Sequence, residues 1–162
     1  MSAVERPAVS YKMKALLQRV ANASVFVGGE TVGAIDNGLL VFLGLDRGDD
    51  RETADRMLDK LLAYRVFSDD EGRMNSSVTD VQGGVLLISQ FTLAADTRKG
   101  LRPGFSSAMV PEEAQLLFSY TLDTLRQRHD KVAAGEFGAD MQVSLTNDGP
   151  VTFLLEFQGS TE

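Results

Sequence analysis

Two short runs, Leu39-Leu40-Val41-Phe42-Leu43-Gly44-Leu45 and Val85-Leu86-Leu87-Ile88, contain no polar side chain at either alternate position. A strand with one wet face alternates, so runs without alternation read as strands covered on both faces. The turn signal Asp36-Asn37-Gly38 precedes the first and Gly83-Gly84 the second, as expected of buried strands rather than helix segments. The second run ends in Ser89-Gln90-Phe91-Thr92, which carries hydroxyls and an amide out of the core to a mouth.

The segment after it holds three cations, Arg98, Lys99 and Arg102, with no acid between Asp96 and Glu112. The chain as a whole carries a formal charge of -7, so this loop reads as a positive island on an acidic body, suited to an anion. The plain alternatives stay open at this point. Ser and Thr at a strand end also satisfy loose backbone groups, and cations in a loop are also ordinary solvated surface.

Taken in order, Met1 to Lys12 is polar, contains Pro7 and shows no periodicity. It reads as a flexible N-terminal extension, or as an alternative start before Met13, with 13–162 as one domain. Lys14 to Val20, then alternating Ala23, Val25 and Val27 up to Gly28-Gly29, read as a pair of strands with a turn. Glu30 to Ile35 continues as a strand. Asp49-Asp50 caps a helix over about 50–65, with Ala54, Met57, Leu58, Leu61 and Leu62 on one stripe.

Val66-Phe67 is a short extended piece and Ser68 to Ser77 a polar loop. Pro111-Glu112-Glu113 opens a second helix, expected to run to Lys131, with Ala114, Leu117, Phe118, Thr121 and Leu125 inward. Met141, Val143 and Leu145 alternate into Asn147-Asp148-Gly149-Pro150, and Val151, Phe153, Leu155 and Phe157 alternate out again. This predicts a closing pair of strands around a Gly-Pro turn.

With 162 residues the chain suits a single domain burying roughly two thirds of its unfolded surface. No apolar run approaches the ~20 residues of a membrane span and the N-terminus has no signal-peptide core, which predicts a soluble cytoplasmic protein with no membrane partner. Without cysteine, thiolate chemistry and Cys/His zinc sites are excluded. The single histidine, His129, sits in Arg126-Gln127-Arg128-His129-Asp130-Lys131 and is expected on the surface, so no imidazole is available to activate a serine or cysteine.

Ser89-Gln90-Phe91-Thr92 and Asn147-Asp148-Gly149-Pro150-Val151-Thr152, with Met13-Lys14-Ala15-Leu16-Leu17-Gln18-Arg19-Val20, Arg102-Pro103-Gly104-Phe105 and Gly135-Glu136-Phe137-Gly138-Ala139-Asp140-Met141, occur in one order. In these blocks the chain resembles the D-aminoacyl-tRNA deacylases, also called D-tyrosyl-tRNA deacylases. The resemblance covers nearly all of Met13 to Phe157. It implies an α/β fold in which a strongly curved mixed β-sheet approaches a barrel, with two main helices, assembled as a homodimer.

The activity the resemblance implies is hydrolysis of the ester between a D-amino acid and the 3'-terminal adenosine of tRNA, with no cofactor or metal. It carries over Ser89, Gln90 and Thr92 as the pocket motif and Phe137 as a wall near the adenine, and Phe91 joins the catalytic set through its backbone N–H. Gly149-Pro150 carries over as a dipeptide, cis in the family, that reads chirality from across the dimer. Arg98, Lys99 and Arg102 are then candidates for tRNA phosphates.

An aminoacyl ester is already activated, so backbone N–H groups near Phe91 and Thr92 that hold the carbonyl, and a water, are sufficient equipment. Thr92 is either a nucleophile or a positioner, and the absence of an evident base favours a route assisted by the substrate's 2'-hydroxyl. Two rivals remain: a small-molecule esterase using Thr92 or Ser89, and a non-catalytic RNA-binding or DNA-associated module using the three cations.

Overall fold

The computed structural model describes residues 12–159. The expected extension over residues 1–11 lies outside them, and Lys12, assigned to that extension, begins the first strand. That strand, β1 (Lys12–Val27), is one continuous element rather than the expected pair with a turn. It pairs antiparallel with β2 (Glu30–Ile35) through the Gly28-Gly29 turn and with β3 (Gly38–Gly44) from Lys14↔Gly44 to Val20↔Gly38. Both turn glycines have positive φ, 58° and 82°, a backbone region that glycine enters without steric cost.

After α1 (Arg51–Ala63) and a small hairpin of β4 (Phe67–Ser68) with β5 (Met74–Ser76), the chain enters β6 (Gly84–Ser89), which lies parallel to β3. The hairpin falls inside the expected polar loop Ser68–Ser77 and contributes nothing to the main sheet. Following α2 (Pro111–Arg128), β7 (Val132–Ala134) adds parallel to β6, and β8 (Gln142–Gln158) returns along the other edge of β1. The sheet is therefore mixed, in the order β2-β1-β3-β6-β7 with β8 on β1.

The sheet curls far enough that its two ends meet. Gly33 on β2 lies against β7, where a Cβ would stand 2.5 Å from the Ala134 carbonyl oxygen, so only glycine permits this approach. That curvature explains the two apolar runs. On β3 and β6, Leu39, Val41, Leu43, Val85 and Leu87 face the layer of α1 and α2, while Leu40, Leu86 and Ile88 face inward with Val20, Ala23 and Val25. One face meets helices and the other fills the barrel.

Asp50 caps α1, its Oδ1 accepting from the Thr53 N–H at 2.9 Å, worth about 1 kcal/mol. Tyr120 of α2 donates to Asp55 at 2.8 Å and Arg128 pairs with Asp55 and Asp59, tying the helices side by side. α2 stops at Arg128 rather than Lys131. The chain turns extended there to reach β7, and this draws His129 inside: it is 8% exposed, with Nε2 2.7 Å from the Gly83 carbonyl oxygen. The expected surface histidine is a buried structural one.

The closing pair of strands is also a single element. β8 keeps its ladder with β1 from Lys12↔Gln158 to Gln18↔Thr152 and resumes at Val20↔Asn147, so residues 148–151 bulge out opposite Arg19. Gly149-Pro150 therefore sits on a bulge in a long strand and not at the tip of a hairpin.

Candidate active site

β6 delivers Ser89 to the carboxyl end of the sheet, where ligand sites of α/β sheets gather. Gln90 continues the ladder by donating its N–H to the Leu43 carbonyl at 2.8 Å, and Phe91–Ala94 then forms a 3₁₀ turn. The opening N–H groups of a helical turn have no acceptor within it, and those of Phe91 and Thr92 find no backbone acceptor among the described residues. Two supports hold the turn. Lys14 Nζ donates to the Leu93 carbonyl at 3.2 Å, and Gly44 leaves the room into which Leu93 packs.

Beside this turn opens a cavity of about 580 Å³. Ile88, Met141 and Val143 form its floor from the barrel, and Leu45, Ala108, Met109 and Ala114 its wall from β3 onward to α2. Ser89, Gln90, Phe91 and Phe137 all line it. Phe91 is 63% exposed and tilts against Phe105 with ring centroids 5.2 Å apart; Phe137 is backed by Phe118 at 5.8 Å. The cavity is thus mainly apolar, with amide and hydroxyl groups at one end.

Thr92 does not line the cavity but stands beside it, its Oγ1 accepting a hydrogen bond from Gln90 Nε2. Among the described residues no carboxylate, lysine or imidazole bonds to that hydroxyl. Gly149 and Pro150 are away from their own chain's cavity. Their peptide bond is cis, Gly149 has φ 139°, and the bulge is clamped by Arg19, which donates to the Asp148 carbonyl at 2.9 Å and to the Val66 carbonyl at 2.7 Å. Asn147 Oδ1 accepts from the Val151 N–H at 2.9 Å, closing the bulge from within.

Arg98, Lys99 and Arg102 also lie off the cavity, in a loop closed by the Asp96–Gly104 hydrogen bonds of 2.7 and 3.0 Å. The loop is less positive than its sequence implies, because Asp96 meets Arg98 in a two-pronged pair at 3.0 Å for each prong. The Arg98 guanidinium holds the Asp96 carboxyl down to about 2, so one of the three charges is neutralised within the loop. The sequence contained this pair at a separation of two residues.

Sequence reasoning missed several lining residues. Phe105, Met141 and Val143 come from distant segments, and their only local signal is that they are apolar. Arg47 was detectable as a cation just past a buried strand, and among the described residues it is the single charged side chain lining the cavity.

The model of the D-Tyr-tRNA(Tyr) deacylase family matches residues 16–156. The chain is 62% identical over 143 residues to the D-aminoacyl-tRNA deacylase of Saccharophagus degradans, covering 88% of this chain and 99% of that one. Over 144 residues it is 61% identical to the enzyme of the same name from Stutzerimonas stutzeri, covering 89% and 99%. A solved structure described as the c-Myc DNA Unwinding Element Binding Protein superposes with a TM-score of 0.84 at 43% identity, covering 88% of this chain and 97% of that one. A probable eukaryotic D-amino acid tRNA deacylase shares the fold, with a TM-score of 0.76 at 17% identity over 90% and 99% of the two chains. A family match over residues 16–156, carried on a barrel-like sheet whose strand β6 runs out into Ser89-Gln90-Phe91-Thr92, makes this chain a member of the D-Tyr-tRNA(Tyr) deacylase family.

Proposed function

We propose that the protein hydrolyses the ester between a D-amino acid and the 3'-terminal adenosine of tRNA, releasing the free amino acid and tRNA. The observation that carries this reading is the apolar cavity bounded at one end by the Phe91–Ala94 turn, where the N–H groups of Phe91 and Thr92 have no backbone acceptor and no carboxylate or imidazole lines the cavity among the described residues. Such a site suits a substrate that needs only positioning, oxyanion donors and a water. Water adds to the carbonyl carbon, the bond to the ribose 3'-oxygen breaks, and that oxygen leaves with a proton. The substrate's 2'-hydroxyl assists, while Ser89 and Gln90 shape the pocket and Phe137 offers a face to the adenine.

In this reading the protein is a homodimer and Gly149-Pro150 of the partner subunit closes the cavity. Its carbonyls bind the amino group and occupy the volume an L side chain needs, so rejection is steric and indifferent to side-chain identity. Glycine, lacking a side chain, passes, and glycyl-tRNA is cleaved as well. Arg98, Lys99 and Arg102 then meet phosphates farther along the tRNA; Lys99 and Arg102 are unpaired among the described residues, and Arg98 would have to leave Asp96. The working compartment is the cytoplasm.

The description of the 43% identical structure as a DNA-element binding protein favours a second reading, a nucleic-acid module without turnover. One measurement separates the readings. Matched D- and L-aminoacyl-tRNA should show rapid deacylation of the D form only, whereas a small D-amino acid ester should remain intact. Absence of turnover on the D form eliminates the deacylase, and turnover of the small ester restores the esterase.

A further inference from the structure

Most of the cavity's lining is uncharged, and its walls offer an adenine ring and an acyl group apolar surface. Arg47 is the exception. Its side chain is exposed at the cavity and makes no ion pair or side-chain hydrogen bond among the described residues. An exposed arginine is ordinarily only solvated surface, so its setting has to decide whether it has a use.

Three features of the setting distinguish it. The backbone beneath Arg47 is fixed: its N–H donates to the Ser107 carbonyl at 2.9 Å and Met109 N–H donates to the Leu45 carbonyl at 3.1 Å, which makes a short ladder of the cavity wall. The acids beside it are buried and do not pair with it among the described residues. Asp46 is 5% exposed and accepts from the Lys12 N–H at 2.9 Å, and Asp49 accepts from the Asp46 N–H at 2.7 Å. Asp46 is buried, whereas Arg47 begins the turn after it and is exposed where it lines the cavity. A positive charge is thereby held, without a counter-ion among the described residues, beside an otherwise uncharged cavity in a chain of formal charge -7.

We propose that Arg47 binds the phosphate joining the last two nucleotides of the tRNA, and so sets the depth at which the aminoacyl-adenosine enters. This rests on the deacylase reading above. In that substrate the ester is on the ribose 3'-oxygen and the phosphate on the 5'-oxygen, on opposite sides of the sugar. With the acyl group at the Phe91–Ala94 turn and the base against Phe137, the phosphate is directed back to the mouth, where a guanidinium fork matches its oxygens in pairs. Arg47 is thus a positioning and specificity residue, and the Arg98 loop acts farther along the chain of nucleotides.

The test compares two small substrates, a 3'-D-aminoacyl-adenosine without phosphate and the corresponding 3'-D-aminoacyl cytidylyl-adenosine with one. Wild-type kcat/KM should favour the phosphate-bearing substrate by on the order of ten- to a hundred-fold, mostly through KM. Arg47→Gln should lose that preference, and on intact D-aminoacyl-tRNA its log–log salt slope should be flatter by about 0.7. Arg47→Lys should recover the salt slope but only part of the preference, since an ammonium lacks the fork. A preference retained by Arg47→Gln, or an equal fall on both substrates with an unchanged salt slope, overturns the assignment. A wild-type protein that cleaves D-aminoacyl-tRNA with no preference between the small substrates also overturns it, whereas one inert on every substrate refutes the deacylase reading itself.

Discussion

Thr92 presents its hydroxyl to the side-chain amide of Gln90, and an amide N–H can donate to that oxygen but cannot take its proton. An alcohol nucleophile without a base is poorly activated at neutral pH. Thr92→Ala should therefore lower kcat by at most about a hundred-fold, against the roughly million-fold that losing a true nucleophile costs. Single-turnover deacylation by the folded variant gives the answer, and loss of all turnover would make Thr92 the nucleophile. At this scale the sequence was informative where residues are consecutive: Ser89, Gln90 and Phe91 reach the cavity together because one strand end carries them. It was uninformative where the path of the chain decides. His129 has polar neighbours on both sides and is buried only because α2 ends early and β7 begins.

At the junction of β3 with α1, neighbouring acids in one turn have opposite fates. Asp50 faces the start of α1, and hydrogen bonds from the Thr53 N–H and hydroxyl hold its carboxyl below the usual range. Asp49 is buried, and desolvation pushes its carboxyl up to about 7. Asp46 is also raised by burial, and each of the two keeps one carboxyl oxygen without a partner among the described residues. Because the folded value lies above the unfolded one of 3.8, Asp49 costs nothing below pH 3.8 and destabilises progressively as pH rises to about 7. The difference in Tm between Asp49→Asn and wild type should accordingly grow in favour of the variant from pH 4 to pH 7 and then level off. Thermal melts at constant ionic strength measure it, and a difference independent of pH would mean Asp49 is ionised throughout. Pattern reading located both helices and the cap, since periodicity and capping are local signals. It divided β1 and β8 in two, because a bulge inside a strand and a turn between strands use the same residues; only the pairing partner distinguishes them.

Across the whole molecule, the barrel's inner face runs out to solvent at one end. Leu16 pairs with Phe42 on β3 and with Leu154 on β8, so the three form a row across the sheet, and Leu154 remains 48% exposed. Phe153, on the opposite side of the same strand, is 36% exposed and meets Tyr64 edge-on at 5.7 Å. Alternation along β8 could be read from the sequence, but its exposure depends on how far the sheet curls, which no local pattern encodes. A half-open apolar row in line with the core is the surface expected of a homodimer contact. Light scattering at micromolar concentration should give a mass near twice the 17.6 kDa of the chain, and a monomer would reject the assembly. Leu154→Glu puts a charge into that row and should shift the protein toward monomer while thermal melts still show a folded core, since the side chain is half exposed already. If Gly149-Pro150 of the partner subunit completes each cavity, the monomeric variant should lose D-aminoacyl-tRNA hydrolysis in proportion to dimer lost. Raising its concentration should restore activity along the association curve. A monomeric Leu154→Glu protein with full activity and full preference for the D substrate would show that each chain's cavity discriminates alone.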